Sequence, residues 1–229
     1  MRFFLKIFLL FSVINVFSQN SVDVVTTKKI DSLYREDQFY FGFTLNTLQN
    51  KPTGLTQNKF SPGVSFGFLR DMPINKKRTI AIAPGLGFAI NNYNQNLAVT
   101  LNNTTPVYEV ISTDYRKNKI SHFLVEVPLE FRWRSSTYES YKFWRIYGGF
   151  KLGYLLYDRS VYDKSNSKII VSNNKDFNKM HYGAYLSTGY NSLNVYVYYG
   201  LNSLFKTAKT STESIDMNAL NIGIMFYIL

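Results

Sequence analysis

The stretch Phe123-Leu124-Val125-Glu126-Val127-Pro128-Leu129-Glu130-Phe131-Arg132-Trp133 separates its side chains by parity. Phe123, Val125, Val127, Leu129, Phe131 and Trp133 occupy the odd positions, while Glu126, Glu130 and Arg132 fall on even ones. A period of two is the pattern of a β-strand, because successive side chains point to opposite faces. Either face of such a strand can be the wet one. In a water-soluble sheet the charged face looks outward and the bulky face makes a core. In a narrow membrane barrel the bulky face looks into lipid, and small or polar side chains fill the lumen.

Working outward, seven more segments repeat the alternation. The apolar faces are Phe39 to Leu45, Val64 to Phe68, Ile80 to Ile90, Trp144 to Leu156, Tyr182 to Tyr190, Leu193 to Leu201 and Leu220 to Ile228, each read at every second residue. With the first strand these make 41 positions, none of them Asp, Glu, Lys or Arg. At the chain's average of 18% charged residues, about seven charges would be expected there. The opposite face is small or polar: Gly63, Ser65 and Gly67; Ala81, Ala83, Gly85 and Gly87; Gly183, Ser187 and Gly189; Asn194, Tyr196, Tyr198 and Gly200. It also carries Glu126, Glu130, Arg132, Arg145 and Lys151. A lumen of eight strands has room for such a set. The expected fold is therefore all-β, an eight-stranded antiparallel transmembrane β-barrel. A water-soluble two-sheet sandwich is the alternative.

Connection lengths support the barrel. The gaps at 48–60, 93–118, 159–178 and 203–215 are long, whereas 71–78, 135–142 and 191–192 are short. Outer-membrane barrels alternate short periplasmic turns with long external loops, so both termini are expected in the periplasm. Residues 1–18 read as a secretory signal, with Arg2 and Lys6 before an apolar run from Ile7 to Phe17. Residues 19–37 form a polar periplasmic arm, and 38–229 the outer-membrane β-barrel. The chain finishes on Phe226-Tyr227-Ile228-Leu229, an aromatic-rich end like the signal read by barrel-assembly machinery.

Composition narrows the chemistry. Among 229 residues there is no Cys and there are two His, which excludes disulfide frameworks, zinc fingers and cysteine nucleophiles and leaves few ligands for a metal site. No cofactor is expected. The formal charge is +11, and removing residues 1–18 leaves 24 basic against 15 acidic residues. The basic residues are spread through loops, at Lys51 and Lys59, at Arg116, Lys117 and Lys119, and at Arg159, Lys164, Lys168 and Lys175. No stripe interleaves them with aromatics as single-strand binding requires, so nucleic acid is not an expected partner. Outer-membrane lipid and lipopolysaccharide are, because external lysines can face lipid phosphates.

Three local readings remain. His122 and His181 near the external rim, with Ser121 and Ser187, raise a lipid A hydrolase, but no nucleophile motif or orienting carboxylate accompanies them, and the chain is read as non-enzymatic. Pro84 and Pro128 lack the donor that a mid-sheet ladder uses, which predicts a bulge at each. In the hairpin joining the fourth and fifth strands, a turn centred between Tyr138 and Glu139 places Glu126 opposite Lys151 and Glu130 diagonal to Arg145. Glu126, Glu130, Arg132, Arg145 and Lys151 are then expected to form a charge network that fills the lumen and closes it as a channel.

Several segments resemble the PorT family of Bacteroidota outer-membrane barrels. They are Arg35-Glu36-Asp37-Gln38-Phe39-Tyr40-Phe41-Gly42, Phe60-Ser61-Pro62-Gly63, Gly67-Phe68-Leu69-Arg70-Asp71-Met72-Pro73-Ile74-Asn75-Lys76-Lys77-Arg78, and Val125-Glu126-Val127-Pro128-Leu129-Glu130-Phe131-Arg132-Trp133. The resemblance implies a non-catalytic assembly or interaction role in the type IX secretion system, which in gliding species supports motility, with proteins of that machinery as partners. Within it, the charged turn carrying Asp71, Lys76, Lys77 and Arg78 is the expected protein contact surface. A generic structural or adhesion barrel working through its external loops is the alternative.

Overall fold

A computed structural model describes residues 35–57, 59–112, 115–135, 143–164 and 167–228. The signal segment 1–18 and all of the arm except its last three residues lie outside the described residues. Among the described residues there are twelve strands: β1 (Gln38–Gln49), β2 (Pro62–Leu69), β3 (Met72–Pro73), β4 (Ile80–Asn94), β5 (Leu97–Asn102), β6 (Thr105–Val110), β7 (Lys117–Arg134), β8 (Trp144–Lys164), β9 (Ser167–Ser172), β10 (Met180–Tyr190), β11 (Leu193–Gly200) and β12 (Asn218–Ile228). Eight of them close a cylinder in the order β1, β2, β4, β7, β8, β10, β11, β12, with β12 pairing back onto β1, and every pairing is antiparallel. Closure leaves no unpaired edge, the condition for a sheet to cross a bilayer.

The alternation runs in the direction that lipid requires. Phe41, Phe66, Leu86, Phe131, Phe150, Leu186, Val195 and Ile222 are exposed on the outer wall, while Glu130, Arg132, Arg145 and Lys151 are buried inside. Several inward positions must be glycine because a ring lies over them. Tyr40 pairs with Gly67, which pairs with Gly87, and a Cβ on Gly67 would come within 2.6 Å of the Tyr40 ring carbon Cε1. The missing side chains of β2 and β4 are the space that one tyrosine of β1 occupies.

The two prolines produce no bulge. Pro84 pairs with Leu129 and Gly87 with Glu126 in the same register, the pairing lapsing only opposite Val127 and Pro128. The Pro84 carbonyl accepts from the Arg70 N–H at 2.9 Å. In an antiparallel ladder a residue's N–H and C=O point to the same side, so the donor that Pro84 lacks faces Arg70 at the break between β2 and β3 and leaves the pairing with β7 intact. The bulge lies between Phe123 and Leu124, where Phe123 pairs with Tyr157 but Leu124 with Leu155. Leu156 is the extra residue, and it and Tyr157 are both exposed in succession. Beyond it the phase of β8 flips, turning Asp158 inward and Arg159 outward.

The long connections are more ordered than their polarity suggests. β5 and β6 form a hairpin over Asn103, whose φ of 56° suits a tight turn. β8 runs on to Lys164 and returns as β9. Leu97, Val99 and Tyr108 of the hairpin join Val171 of β9 and Phe177, Phe205, Ile215 and Met217 of the later loops in one buried apolar cluster with Leu48, Tyr93 and Leu155 of the barrel.

Candidate functional site

The lumen and its two mouths hold the chain's buried polar chemistry. At the end carrying the short turns, Asp71 is fully buried and takes both guanidinium groups of β7. Arg134 binds it in a fork, Nη1 to Oδ1 at 2.9 Å and Nη2 to Oδ2 at 2.8 Å, and Arg132 Nη1 reaches Oδ1 at 3.0 Å. The last residues of the arm close the knot. The Glu36 N–H donates to Asp71 Oδ2 at 3.2 Å, Arg132 Nη1 donates to the Glu36 carbonyl at 3.2 Å, and the Asp71 N–H donates to Asp37 Oδ1 at 2.8 Å. Burial by itself would raise the Asp71 carboxyl, but the hydrogen bond and charge of Arg134, joined by the charge of Arg132, outweigh it and hold the group below the usual carboxylate range.

Asp71 is therefore corrected as a contact-turn residue. It is enclosed by Arg132 and Arg134 and presents nothing to a partner. Lys76 and Lys77 are exposed, and Arg78 is half-buried with a φ of 60°. The turn they occupy is closed by Ile74 N–H to Ile80 O at 2.9 Å, by Arg78 N–H to Asn75 O at 3.0 Å and by Asn75 Nδ2 to Thr79 Oγ1 at 2.8 Å. Arg134 Nε also donates to the Arg78 carbonyl at 3.0 Å, tying the turn to the buried knot.

The next layer inward holds Glu130, which accepts from Arg132 Nε at 2.8 Å and from the Tyr227 hydroxyl at 2.9 Å. Above it Lys151 Nζ lies 2.9 Å from Glu126 Oε2, donates to the Tyr196 hydroxyl at 3.0 Å and sits over the rings of Tyr185, Tyr196 and Tyr198. The expected register is off by two residues, for Pro128 faces Lys151 and Glu126 faces Gly153. The flexible lysine stem reaches diagonally to close the pair. Arg145 behaves differently. It is buried without an ion pair among the described residues, and its guanidinium lies 4.5 Å from the Phe143 ring centre and 5.6 Å from that of Tyr147. Sequence reasoning treated it as a partner for a carboxylate and missed Asp71 and Arg134 as network members, although Asp71 beside a strand ending Arg132-Trp133-Arg134 is a readable signal.

Toward the long-loop end the filling turns aromatic. His122 packs on Phe177 at 4.6 Å between ring centres and on His181 at 5.6 Å. Neither Nε2 has a hydrogen-bond partner among the described residues, and the Ser121 hydroxyl is donated to Asn92 Oδ1 at 2.8 Å. Ser187 lies on β10 opposite Tyr147 and Tyr196, six positions along the strand from His181. Between the aromatic and charged layers a cavity of about 20 Å³, bounded by His122, His181, Glu126 and Lys151, has room for about one water. A second, of about 10 Å³, lies beside Glu130, Tyr40 and Tyr227.

Two crystal structures of Ail, the attachment invasion locus protein of Yersinia pestis, are similar to the chain. The first is 11% identical, with a TM-score of 0.42, covering 85% of this chain and 99% of the other. The second, in complex with the heparin analogue sucrose octasulfate, is 10% identical, with a TM-score of 0.40, covering 84% and 97%. No curated protein is matched by the sequence. Residues 17–206 match the outer membrane protein beta-barrel domain, and with its inverted alternation and closed sheet the chain belongs to that family of the outer membrane.

Proposed function

We propose that the protein is a non-conducting, non-catalytic component of the type IX secretion pathway, acting as an assembly or interaction platform whose short-turn end faces the periplasm. The observation that carries this reading is the way the Lys76-Lys77 turn is mounted. Two exposed cations sit on a turn whose backbone is bonded to Arg134, itself forked onto buried Asp71. A preformed charged turn on a rigid base loses little entropy when it docks, which suits a protein contact. The pathway itself comes from the resemblance of the β2–β4 turn and of β7 to the PorT family. The packed lumen supports a platform over a pore, and the Nε2 atoms of His122 and His181, without a hydrogen-bond partner among the described residues, support a structural over a catalytic reading.

Replacing Lys76, Lys77 and Arg78 together by Ala tests this. The expected outcome is normal insertion with cargo retained in the periplasm, and normal secretion by the inserted variant overturns it. Orientation is tested separately: a cysteine at Asn103 is expected to react with an impermeant label in intact cells and one at Asn75 is not. A second reading, an adhesion barrel, is favoured by one observation, the folded β5–β6 hairpin with Leu101 and Val107 exposed near its tip. Unchanged secretion with altered surface binding after deletion of the gene would select it.

A further inference from the structure

Beyond the bulge at Leu156, the wall formed by β7, β8 and β9 continues past the aromatic pair Phe123 and Tyr157, whose ring centres are 5.7 Å apart. The residues on the Arg159 side of these strands fall in register, with Ser121, Val161 and Asp163 buried among the longer cations. Arg159 lies between Ser121 and Ser172, Val161 between Lys119 and Ile170, and Asp163 between Lys117 and Lys168. Lys117, Arg159 and Lys168 are exposed and Lys119 is half-buried. Asp163 is the one carboxylate in these rows, and it is already engaged by Arg116, Nη2 to Oδ2 at 2.7 Å. The four other cations make no ion pair among the described residues. Lys119 is diagonal to Arg159, a separation of about 7–8 Å that one phosphate group can bridge.

The position of this patch selects its ligand. The inner face of the same strands is covered by the β5–β6 hairpin, so the cations can meet only what surrounds the barrel. Arg159 stands two residues beyond Tyr157, about 7 Å along the strand. Aromatic rings at that level mark the lipid interface. The Tyr157 and Ser172 hydroxyls, hydrogen-bonded to each other at 2.9 Å, add polar groups at the base of the patch. We propose that the outer face of β7–β8–β9 binds the phosphates of an outer-leaflet glycolipid headgroup, with Lys119, Arg159 and Lys168 as the principal contacts. This goes beyond the secretion role. It rests only on the long-loop end facing outward, which the cysteine labels test independently.

The experiment titrates the detergent-folded full barrel with bisphosphorylated lipid A, lipid A stripped of its phosphates, phosphatidylglycerol and inorganic phosphate, with native mass spectrometry reading the bound fraction. Bisphosphorylated lipid A is expected to bind best, and the stripped form about 100-fold more weakly, on the scale of about fivefold to tenfold per cation at a lipid surface. The triple variant Lys119→Gln, Arg159→Gln, Lys168→Gln is expected to lose a similar factor. A control with Lys51→Gln, Lys206→Gln and Lys209→Gln stays within about twofold of the parent. If the triple variant fails the heat-modifiability test of folding, Arg159→Gln alone replaces it, with about a fivefold loss expected. Equal losses in patch and control variants overturn the site. Inorganic phosphate binding as tightly as lipid A, or phosphatidylglycerol doing so, overturns the glycolipid assignment.

Discussion

The half of the lumen near the short turns is filled by opposite charges and tyrosine hydroxyls, with Asp71, Glu130 and Glu126 against Arg132, Arg134 and Lys151, whereas the half near the long loops is filled by Leu48, Tyr93, Leu97, Phe177 and their neighbours. The division follows from what each half can reach. Within the bilayer the outer wall already takes the large apolar residues, so the inner face of the same strands receives the polar ones, and these must satisfy one another. Beyond the bilayer Ile120 of β7 and Val171 of β9 point inward, and the β5–β6 hairpin folds onto them as in a soluble protein. The first half should be stiff and intolerant of losing a partner; the second should fail locally.

Replacing Asp71 by Asn breaks this contrast most severely. It leaves two buried guanidinium groups short of a charge, and the expected loss is about 3–5 kcal/mol of barrel stability, measured by urea unfolding in lipid vesicles. A loss below about 1 kcal/mol would mean that water reaches the knot. Leu97→Ala in the apolar half is expected to cost about 2–4 kcal/mol, but locally. The readout is protease cutting within 97–110 while the barrel remains heat-modifiable. Global unfolding by this variant would show that the two halves are one cooperative unit.

Acid provides a gentler probe of the same division. Because the folded state holds the Asp71 carboxyl below its ordinary range, its contribution is complete above the unfolded value of about 3.9 and disappears as pH falls through the lower folded value. Stability is expected to be flat from about pH 5 to 8 with respect to this group and to fall below about pH 4, with that part of the acid limb absent in Asp71→Asn. The smallest effect is expected at the surface. Lys76→Ala and Lys77→Ala should each change unfolding by less than about 0.5 kcal/mol, since neither side chain is buried or paired among the described residues.

The period-two separation at Phe123–Trp133, repeated through the chain, was enough to determine strand number, wall orientation and the alternation of loop lengths, because a barrel in lipid imposes one rule on every strand. It also placed Glu126, Glu130, Arg132, Arg145 and Lys151 inside, since facing depends on parity alone. Pairing inside the lumen was decided by tertiary structure. The hairpin shifted by two in register, the lysine stem reached across it, Arg145 settled on rings, and Asp71 turned inward at the short-turn mouth. Those outcomes depend on side-chain reach and on which neighbours share a layer, and strand periodicity records neither. The bulge at Leu156 and the β5–β6 hairpin were likewise tertiary decisions: each serves the packing of the extended β8 against segments far away in the chain, and a local pattern carries no information about a distant partner.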